Sequence, residues 1–305
     1  MVAMEQYAPL DLSHLHPLVR EIALLPADER IARIRADRWI GYTRAVEALD
    51  RLEALLQWPR KQRMPNLLLV GPTNNGKSMI IEKFRRQHPP QSSADQEHIP
   101  VLCMQMPSSP SVLRFYVALI GAMGAPLRVR QRVPELERMA LSLMRQVGVR
   151  LLVIDELHNN LAGSSDTRRE FLNLLRFLGN ELRIPLVGVG TREAYLAIRS
   201  DDQLENRFEP LVLPLWEQND ESLSLLASFA ASFPLRRRSL ISGPDMARYL
   251  LTRSEGTIGE LARLLTTAAI AAVESGEEAI NQRTLTMADY AGPTERRRMF
   301  EREVS

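Results

Sequence analysis

The sequence predicts an α/β protein, in which a parallel sheet with helices on both faces is followed by a small helical domain. Short apolar runs alternate with longer helix-patterned stretches, an order typical of a parallel sheet that is buried on both faces. After Trp216 the apolar runs stop, and three helical patterns follow. The predicted strands are 66–70, 99–106, 150–157, 184–191 and 208–216.

The segment before the first strand is predicted to be helical. A helical pattern covers 17–39, where Pro26 interrupts it, and apolar residues repeat at helical spacing across 43–58. The predicted organisation is an N-terminal helical extension at 1–37, an α/β core at 38–217, a helical lid at 218–292 and a charged C-terminal tail at 293–305.

Composition narrows the class of protein. Of the 305 residues 45% are hydrophobic and 25% charged, as in globular proteins, and a formal net charge of +2 restricts any basic surface to a local patch. The single cysteine, Cys103, excludes an intrachain disulfide. No apolar run reaches membrane-spanning length, and the first residues lack a signal-peptide pattern. We therefore expect a cytoplasmic protein without membrane partners.

One stretch indicates phosphate binding. GPTNNGKS, residues 71–78, matches G-x-x-x-x-G-K-[ST] and lies between a predicted strand and a predicted helix, as this motif requires. Gly71 and Gly76 permit the backbone to wrap around phosphates, so that its N–H groups point at the negative charge. Lys77 is predicted to reach the β- and γ-phosphates, and the Ser78 hydroxyl to bind Mg²⁺. The residues assigned to the nucleotide are Gly71, Pro72, Thr73, Asn74, Asn75, Gly76, Lys77, Ser78 and Met79.

An acidic pair supplies the carboxylates that such a site needs. Asp155 and Glu156 end the apolar run at 150–157, where α/β sheets place their ligands. Asp155 is predicted to hold the metal through water and to contribute to the nucleotide site, and Glu156 to deprotonate the attacking water. An acidic pair after a strand also occurs at a solvated helix start, but the phosphate motif favours the catalytic interpretation. The predicted cofactors are ATP and Mg²⁺.

Two polar residues near this pair have alternative interpretations. Thr191 ends the strand run at 184–191 and is predicted to lie near the γ-phosphate if that strand lies between the other two. Thr191 equally fits as the cap of the following helix. His158 is placed to sense the γ-phosphate, but an ordinary histidine in a surface turn explains it as well.

Arg207 precedes the last predicted strand without a helix-face or core position to explain it. A guanidinium there is suited to reach the γ-phosphate bound by a neighbouring subunit, as arginine fingers do in trans. The alternative is a surface arginine, and the order of the motifs favours the finger.

This order of motifs resembles that of the AAA+ ATPases over residues 38–292, and within them the chain resembles the TniB/TnsC group of transposition ATPases, TniB most closely. The stretches that carry the resemblance are WIGYTRAVEALDRLEALLQWPRKQRMPNLLLVGPTNNGKSMIIEKF, VIDELHNNLAGS and TIGELARLL.

The resemblance implies a function and further site residues. Ile40 and Gly41 match the segment that lines the adenine base. The family implies an ATP-dependent regulator of DNA transposition that assembles with itself as an oligomer or filament on double-stranded DNA, largely without sequence specificity. It implies links to a DDE transposase and to a TniQ-type adaptor, and a location at the bacterial nucleoid when the protein is on DNA.

One position departs from the family pattern. Many AAA+ lids carry an arginine three residues after a glycine, but Gly256 is followed by Thr257, Ile258 and Gly259. Arg263 either substitutes for this arginine or is a polar position on an amphipathic helix.

DNA binding requires local positive charge, because phosphate contacts dominate affinity. Arg128, Arg130 and Arg132 alternate before Pro134 and are predicted to form a backbone clamp on an extended loop, with a solvated loop as the alternative. Other basic clusters are 59–63, 168–169, 236–238 and 296–298.

Two other classes of function remain open from the sequence. One is an interaction scaffold gated by nucleotide occupancy, and the other is an ATPase of the helicase-loader or clamp-loader type. Glu156 and Arg207 favour turnover over gating alone.

Overall fold

The computed structural model describes residues 10–92, 97–109, 111–127, 131–161 and 164–304. The chain divides into two compact units, Arg44–Pro214 and Met1–Thr43 together with Leu215–Ser305. We call them the α/β unit and the helical unit. The helical unit therefore combines both ends of the chain, while the segment boundaries inferred from the sequence stay predictions.

The helices and strands are numbered in chain order. The helices are α1 (Pro17–Ala23), α2 (Ala27–Arg35), α3 (Thr43–Gln57), α4 (Lys77–Gln87), α5 (Val112–Ala122), α6 (Val133–Gln146), α7 (His158–Leu161), α8 (Ser165–Leu182), α9 (Arg192–Arg199), α10 (Asp202–Glu205), α11 (Asp220–Ser232), α12 (Pro244–Arg253), α13 (Ile258–Glu274), α14 (Gln282–Met287) and α15 (Pro293–Val304). The strands are β1 (Asn66–Val70), β2 (Gln91–Ser92), β3 (Glu97–His98), β4 (Val101–Gln105), β5 (Leu151–Asp155), β6 (Leu186–Gly190) and β7 (Phe208–Val212).

The α/β unit is built on a five-stranded parallel sheet in the order β4-β5-β6-β1-β7. In the middle of the sheet Leu68 pairs with Gly188 of β6 and with Pro210 of β7. At the edge where the strands begin, the Asn66 side chain accepts a hydrogen bond from the Leu186 N–H, 2.9 Å long. The predicted α/β fold class is confirmed, and β6 lies between the strands that lead to the phosphate motif and to the acidic pair.

Apolar burial on both faces holds the sheet in place. Every residue of β1 and of β6 is buried, as the apolar runs at 67–70 and 186–190 predict. Helix α5 packs Phe115 and Tyr116 into this core, where Phe115 also makes an edge-to-face contact with Phe171 of α8, with ring centroids 5.8 Å apart. Each fully buried large side chain contributes about 1.5–3 kcal/mol, so that these helices are fixed mainly by the apolar face they bury.

The helical unit has a separate core. Helix α13 contributes Leu261, Leu264, Leu265, Ala268 and Ala272, which repeat every three or four residues and are all fully buried. Ile34 of α2 packs into the same core. The N-terminal helices therefore pack against helices that follow the sheet in sequence.

A buried ion pair ties α2 to the turn after α13. Arg30 donates to both carboxylate oxygens of Glu278, at 2.6 and 2.7 Å, and to the Pro234 carbonyl at 3.1 Å. Burial opposes ionisation of Glu278, but the hydrogen bonds from Arg30 and from the Arg236 backbone outweigh it and hold the pKa of Glu278 below its usual range. The charge of Glu278 is therefore part of the folded helical unit.

The last thirteen residues contain a helix rather than an irregular tail. Helix α15 has no buried residue, yet Arg296 donates to both carboxylate oxygens of the buried Glu260, at 2.8 and 3.1 Å. These hydrogen bonds lower the pKa of Glu260. Electrostatic contacts, rather than an apolar face, therefore hold α15 on the helical unit.

No single helix in the described ranges has the length and hydropathy to cross a membrane. Helices α12 and α13 meet those criteria only as a pair, which is bent by 110°.

We expect Glu278→Gln to lower the free energy of unfolding by about 3 kcal/mol, because it leaves the buried Arg30 without its charge partner. Urea unfolding followed by circular dichroism measures this loss. The control is Glu274→Gln, which changes an exposed carboxylate at the end of α13. Because the folded-state pKa of Glu278 is lowered, the difference from wild type is complete above its unfolded-state pKa and shrinks as the pH falls below it. Equal stability of the two variants at neutral pH would contradict the assignment.

Candidate nucleotide-binding site

Three parallel strands bring the candidate residues to one edge of the α/β unit. β1 leads into the phosphate motif, β5 ends at Asp155, and β6 leads into Thr191. Backbone hydrogen bonds continue beyond the strands, from the Gly71 N–H to the Gly190 carbonyl at 3.2 Å and from the Leu157 N–H to the Val189 carbonyl at 2.9 Å. The candidate site therefore lies at the carboxyl ends of adjacent strands.

The two glycines of the motif are required by the backbone path. A Cβ on Gly71 would lie 2.8 Å from the Leu213 carbonyl oxygen, a backbone atom that cannot easily move aside. Gly76 has φ 84°, in the left-handed region that glycine adopts without strain, and α4 begins at the next residue. The N-terminus of α4 and its free N–H groups therefore face the loop, which is the arrangement that binds anions.

Asn75, which the motif assigns to the nucleotide, turns its side chain into the protein. The side chain is buried, and its amide donates to the Leu213 carbonyl at 3.0 Å and to the Pro214 carbonyl at 2.8 Å. These bonds tie the loop to the segment after β7. A backbone contribution of Asn75 to phosphate binding stays a prediction, whereas the anchoring of the loop is a role that the motif does not indicate.

Lys77 is held within the loop. It is 7% exposed, and its ammonium donates to the Gly71 carbonyl at 2.9 Å and to the Pro72 carbonyl at 2.7 Å. Burial lowers the pKa of Lys77, and the nearby carboxylates of Glu156 and Asp155 partly oppose this shift. The ammonium therefore lies between the loop and the acidic pair.

The hydroxyl of Ser78 donates to a carboxylate oxygen of Asp155, 2.8 Å away. Both are hard oxygen ligands of the type that Mg²⁺ prefers. The described residues contain no cluster of three or more His, Cys, Asp or Glu that could hold a metal ion by itself. Two protein oxygens suit Mg²⁺, which usually completes its coordination with water and with phosphate oxygens of the nucleotide. The donor set therefore fits the predicted metal.

Glu156 has an unusual backbone and a histidine partner. Its φ of 56° is in the left-handed region, and its N–H donates to the Asp155 carboxylate at 2.8 Å. Its own carboxylate lies 3.2 Å from His158 Nε2. The other ring nitrogen, His158 Nδ1, is buried and has no hydrogen-bond partner among the described residues. The structure thus places His158 against Glu156 rather than in a fully solvated turn.

Thr191 lies at the same edge of the sheet. It precedes α9 but makes no side-chain hydrogen bond to the helix backbone, and its hydroxyl donates instead to the Glu193 carboxylate. This hydrogen bond is the main reason that the pKa of Glu193 is lowered. Thr191 therefore occupies the start of α9 without capping it through its side chain, and its predicted place near the γ-phosphate stays a prediction.

Arg207 lies at the opposite edge of the sheet from the phosphate motif. It immediately precedes β7, which runs parallel to β1, and its guanidinium donates to the Asn180 side chain at 2.8 Å. A strand of five residues spans roughly 16 Å, so Arg207 is remote from the phosphate loop of its own chain. An arginine finger at this position would therefore contact the nucleotide of a neighbouring subunit and not that of its own chain.

Ile40, Gly41 and Arg263 belong to the helical unit. Ile40 packs on the core of that unit, next to Tyr42, whose ring meets the Trp216 ring edge to face at 5.1 Å. Arg263 is exposed on α13. Their predicted roles toward the nucleotide stay predictions.

Of the three arginines of the predicted DNA clamp, the structure describes Arg132. Arg128 and Arg130 lie outside the described residues. Arg132 is exposed and starts α6, where its N–H donates to the Glu135 carboxylate at 3.2 Å. Its contact with DNA stays a prediction.

Three solved structures illustrate the similarity of fold. The Aeropyrum pernix ORC2 protein, in its ADPNP–ADP complexes, has a TM-score of 0.54 and 16% identity over 83% of this chain and 70% of that chain. The Aeropyrum pernix ORC1 protein in complex with DNA has a TM-score of 0.54 and 15% identity over 84% and 68%. Cdc6p from Pyrobaculum aerophilum has a TM-score of 0.55 and 16% identity over 81% and 67%. At such identities the likeness shows the fold alone, which is that of AAA+ ATPases.

The sequence comparisons give the family. A search of curated proteins finds no match. The model of the family described as bacterial TniB protein matches residues 30–218, more than half of the chain. This match confirms the resemblance inferred from the sequence. The chain therefore belongs to the TniB family and has the AAA+ fold.

Proposed function

We propose that this protein is an ATP-dependent regulator of DNA transposition. It binds and hydrolyses ATP, assembles as an oligomer on double-stranded DNA, and links that DNA to a DDE transposase and a TniQ-type adaptor. TniB family membership supports the role in transposition. The observation that carries the enzymatic part is the hydrogen bond of Ser78 to Asp155, 2.8 Å long, at the mouth of the phosphate loop.

Binding of the nucleotide relies on the loop from Gly71 to Gly76 and on the start of α4. Backbone N–H groups there would take the phosphates, and Lys77 would exchange its two carbonyl partners for phosphate oxygens. Ser78 and Asp155 would hold Mg²⁺, which supplies charge neutralisation at the phosphates when bound. The Aeropyrum pernix ORC2 protein, which has a similar fold, was solved in ADPNP–ADP complexes, and this supports the proposal that the present chain binds a nucleotide.

Glu156 is the general base of the proposed reaction. Its carboxylate would take the proton from the water that attacks the γ-phosphate, and the His158 contact at 3.2 Å would orient it. The Glu156 N–H donates a hydrogen bond to the Asp155 carboxylate, and this bond holds Glu156 beside the proposed metal ligand. Proton transfer by a positioned carboxylate typically accelerates a reaction by about 10²–10⁴-fold.

Arg207 completes the site of the neighbouring subunit. Its place at the start of β7, the outermost strand of the sheet, supports action in trans, because this corner of one chain would face the phosphate loop of the next. Such a head-to-tail contact is heterologous and extends into a ring or a filament. Hydrolysis would then depend on assembly.

DNA is the proposed scaffold for this assembly. The DNA complex of the ORC1 protein supports DNA binding by this fold. An oligomer sums many weak contacts, which accommodates the modest net charge of +2 on each chain. The transposase and the adaptor are inferred from family membership alone.

We expect Glu156→Gln to reduce the turnover of ATP by about 10²–10⁴-fold and to leave ATP affinity unchanged, because the amide keeps the shape but cannot accept the proton. Phosphate release and binding of a fluorescent ATP analogue measure the two quantities. The control is Glu170→Gln, an exposed carboxylate on α8. Normal hydrolysis by Glu156→Gln would remove Glu156 as the base and favour a scaffold gated by nucleotide occupancy.

Mixing two inactive variants tests the trans role of Arg207. We expect Arg207→Ala and Glu156→Gln each to lose hydrolysis, and an equal mixture to recover about a quarter of the wild-type rate. In a random head-to-tail assembly about a quarter of the interfaces combine an intact Glu156 with an intact Arg207 from the next chain. Arg199→Ala is the control, since Arg199 is an exposed arginine 3.4 Å from Glu205. No recovery in the mixture, with both variants assembling normally, would contradict action in trans.

A further inference from the structure

Arginines precede three adjacent strands of the α/β sheet. Arg150 directly precedes β5, and Arg183 and Arg63 each stand three residues before β6 and β1. Because these strands are neighbours and parallel, the three arginines lie along one edge, opposite the phosphate loop. With Arg60, Lys61 and Arg145 they form a surface that we call the basic edge.

Two grooves that share Lys61 connect five of these six side chains, and Arg150 lines neither groove. Arg60, Lys61, Arg145 and Arg183 line a groove of about 350 Å³. Lys61 also lines a second groove of about 800 Å³, whose charged lining is completed by Arg63, Arg207, Asp202, Glu205 and Glu209. The basic cluster at 59–63, for which the nucleotide site has no use, thereby joins α6 and α8 in a single cationic surface.

The cations of the basic edge outnumber the carboxylates that surround them. All six side chains are exposed. Arg145 contacts the Glu181 carboxylate. For the other five, no carboxylate in the described ranges lies within ion-pair distance. Four carboxylates line the same two grooves, Glu181 in the first and Asp202, Glu205 and Glu209 in the second. The six cations and the bordering Arg207 exceed them by about three positive charges, which favours a polyanionic partner.

The backbone conformation of Arg183 points to a functional role for its guanidinium. Arg183 ends α8 with φ 51° and ψ 45°, a left-handed conformation. Glycine is the usual residue at such a position because any Cβ is strained there. An arginine that occupies a strained position and makes no ion pair with the described residues points to a ligand from outside the chain.

The dimensions of the basic edge match a nucleic-acid backbone. Neighbouring strands are about 4.8 Å apart, so the arginines before β5, β6 and β1 form a row about 10 Å long. Duplex DNA carries one negative charge per about 1.7 Å of its axis, so that such a row faces several phosphates.

We propose that the basic edge binds the phosphate backbone of duplex DNA without reading the base sequence. The proposal rests on the proposed function in taking DNA as the partner, and it assigns to that partner a surface separate from the loop at 127–133. Arg207, which directly precedes β7, lines the second groove and so borders the basic edge, but its proposed role is at the nucleotide site of the neighbouring chain.

Salt-dependent binding of the full chain to DNA tests the proposal. The probe is a fluorescent 30-base-pair duplex, titrated in the presence of a non-hydrolysable ATP analogue at several salt concentrations. We expect Arg63→Ala and Arg183→Gly each to weaken binding equally on two duplexes of unrelated sequence. Each should lower the slope of log affinity against log salt by about one, and the double variant by about two.

Stability and charge controls separate binding from folding. Arg183→Gly should unfold at the same temperature as wild type or higher, since glycine relieves the left-handed strain. Arg183→Lys should retain the wild-type slope. Arg44→Ala removes an exposed arginine on α3 that already pairs with Glu47 at 2.9 Å, and it should leave the slope unchanged.

Failure of DNA binding by the basic edge and failure of the proposed function would give different results. DNA binding by wild type with unchanged slopes in Arg63→Ala and Arg183→Gly would overturn the basic edge and leave the proposed function standing. Sedimentation velocity without DNA tests whether Arg63→Ala and Arg183→Gly still self-associate. Loss of self-association in these variants would identify a second copy of the chain as the occupant of the basic edge and would also overturn DNA binding there. Failure of wild type to bind DNA in any nucleotide state would overturn both proposals.

Discussion

The parallel pairing of β1 with β6 on one side and β7 on the other is the constraint on which the rest of the α/β unit depends. It places the phosphate loop next to the ends of β6 and β5, and it brings Ser78 to 2.8 Å from Asp155, although 77 residues separate them. The close fit of Gly71 against the Leu213 carbonyl and the amide of Asn75 fix the same loop to the end of β7. Loop, hydroxyl and carboxylate are therefore positioned by a fully buried strand rather than by flexible segments.

The polarity of the sheet also separates two kinds of charge. Asp155 and Glu156 lie at the carboxyl edge with the phosphate loop, whereas Arg207 and the basic edge lie where the strands begin. A chain with the phosphate loop at one edge and Arg207 at a corner of the other is suited to head-to-tail association, which leaves the basic edge for DNA. The nucleotide would place negative charge at the carboxyl edge of the sheet, and DNA would place it at the basic edge.

The sheet was predictable from the sequence because its strands are continuous apolar runs, and strands buried on both faces have no other pattern. The meeting of Ser78 and Asp155 was predictable for the same reason, since both follow the carboxyl ends of strands. The inward turn of Asn75 was not, because an asparagine in a glycine-rich loop indicates exposure, and its two carbonyl partners lie about 140 positions away. The contact of His158 with Glu156 depends on the left-handed backbone at Glu156, which no local residue preference indicates. The grouping of α2 with α13 depends on the packing of Ile34 into the core of the helical unit and on the long-range Arg30–Glu278 pair, and neither has a signal in the local sequence.

The central claim is that ATP completes a site shared between neighbouring chains on DNA. Electron microscopy of the purified protein with duplex DNA, in the presence of ATP, ADP or no nucleotide, tests it most directly. The account predicts an ordered assembly on DNA with ATP, in which Arg207 of one chain faces the phosphate loop of the next. Absence of any ATP-dependent assembly, or an assembly in which Arg207 faces away from every phosphate loop, would contradict it.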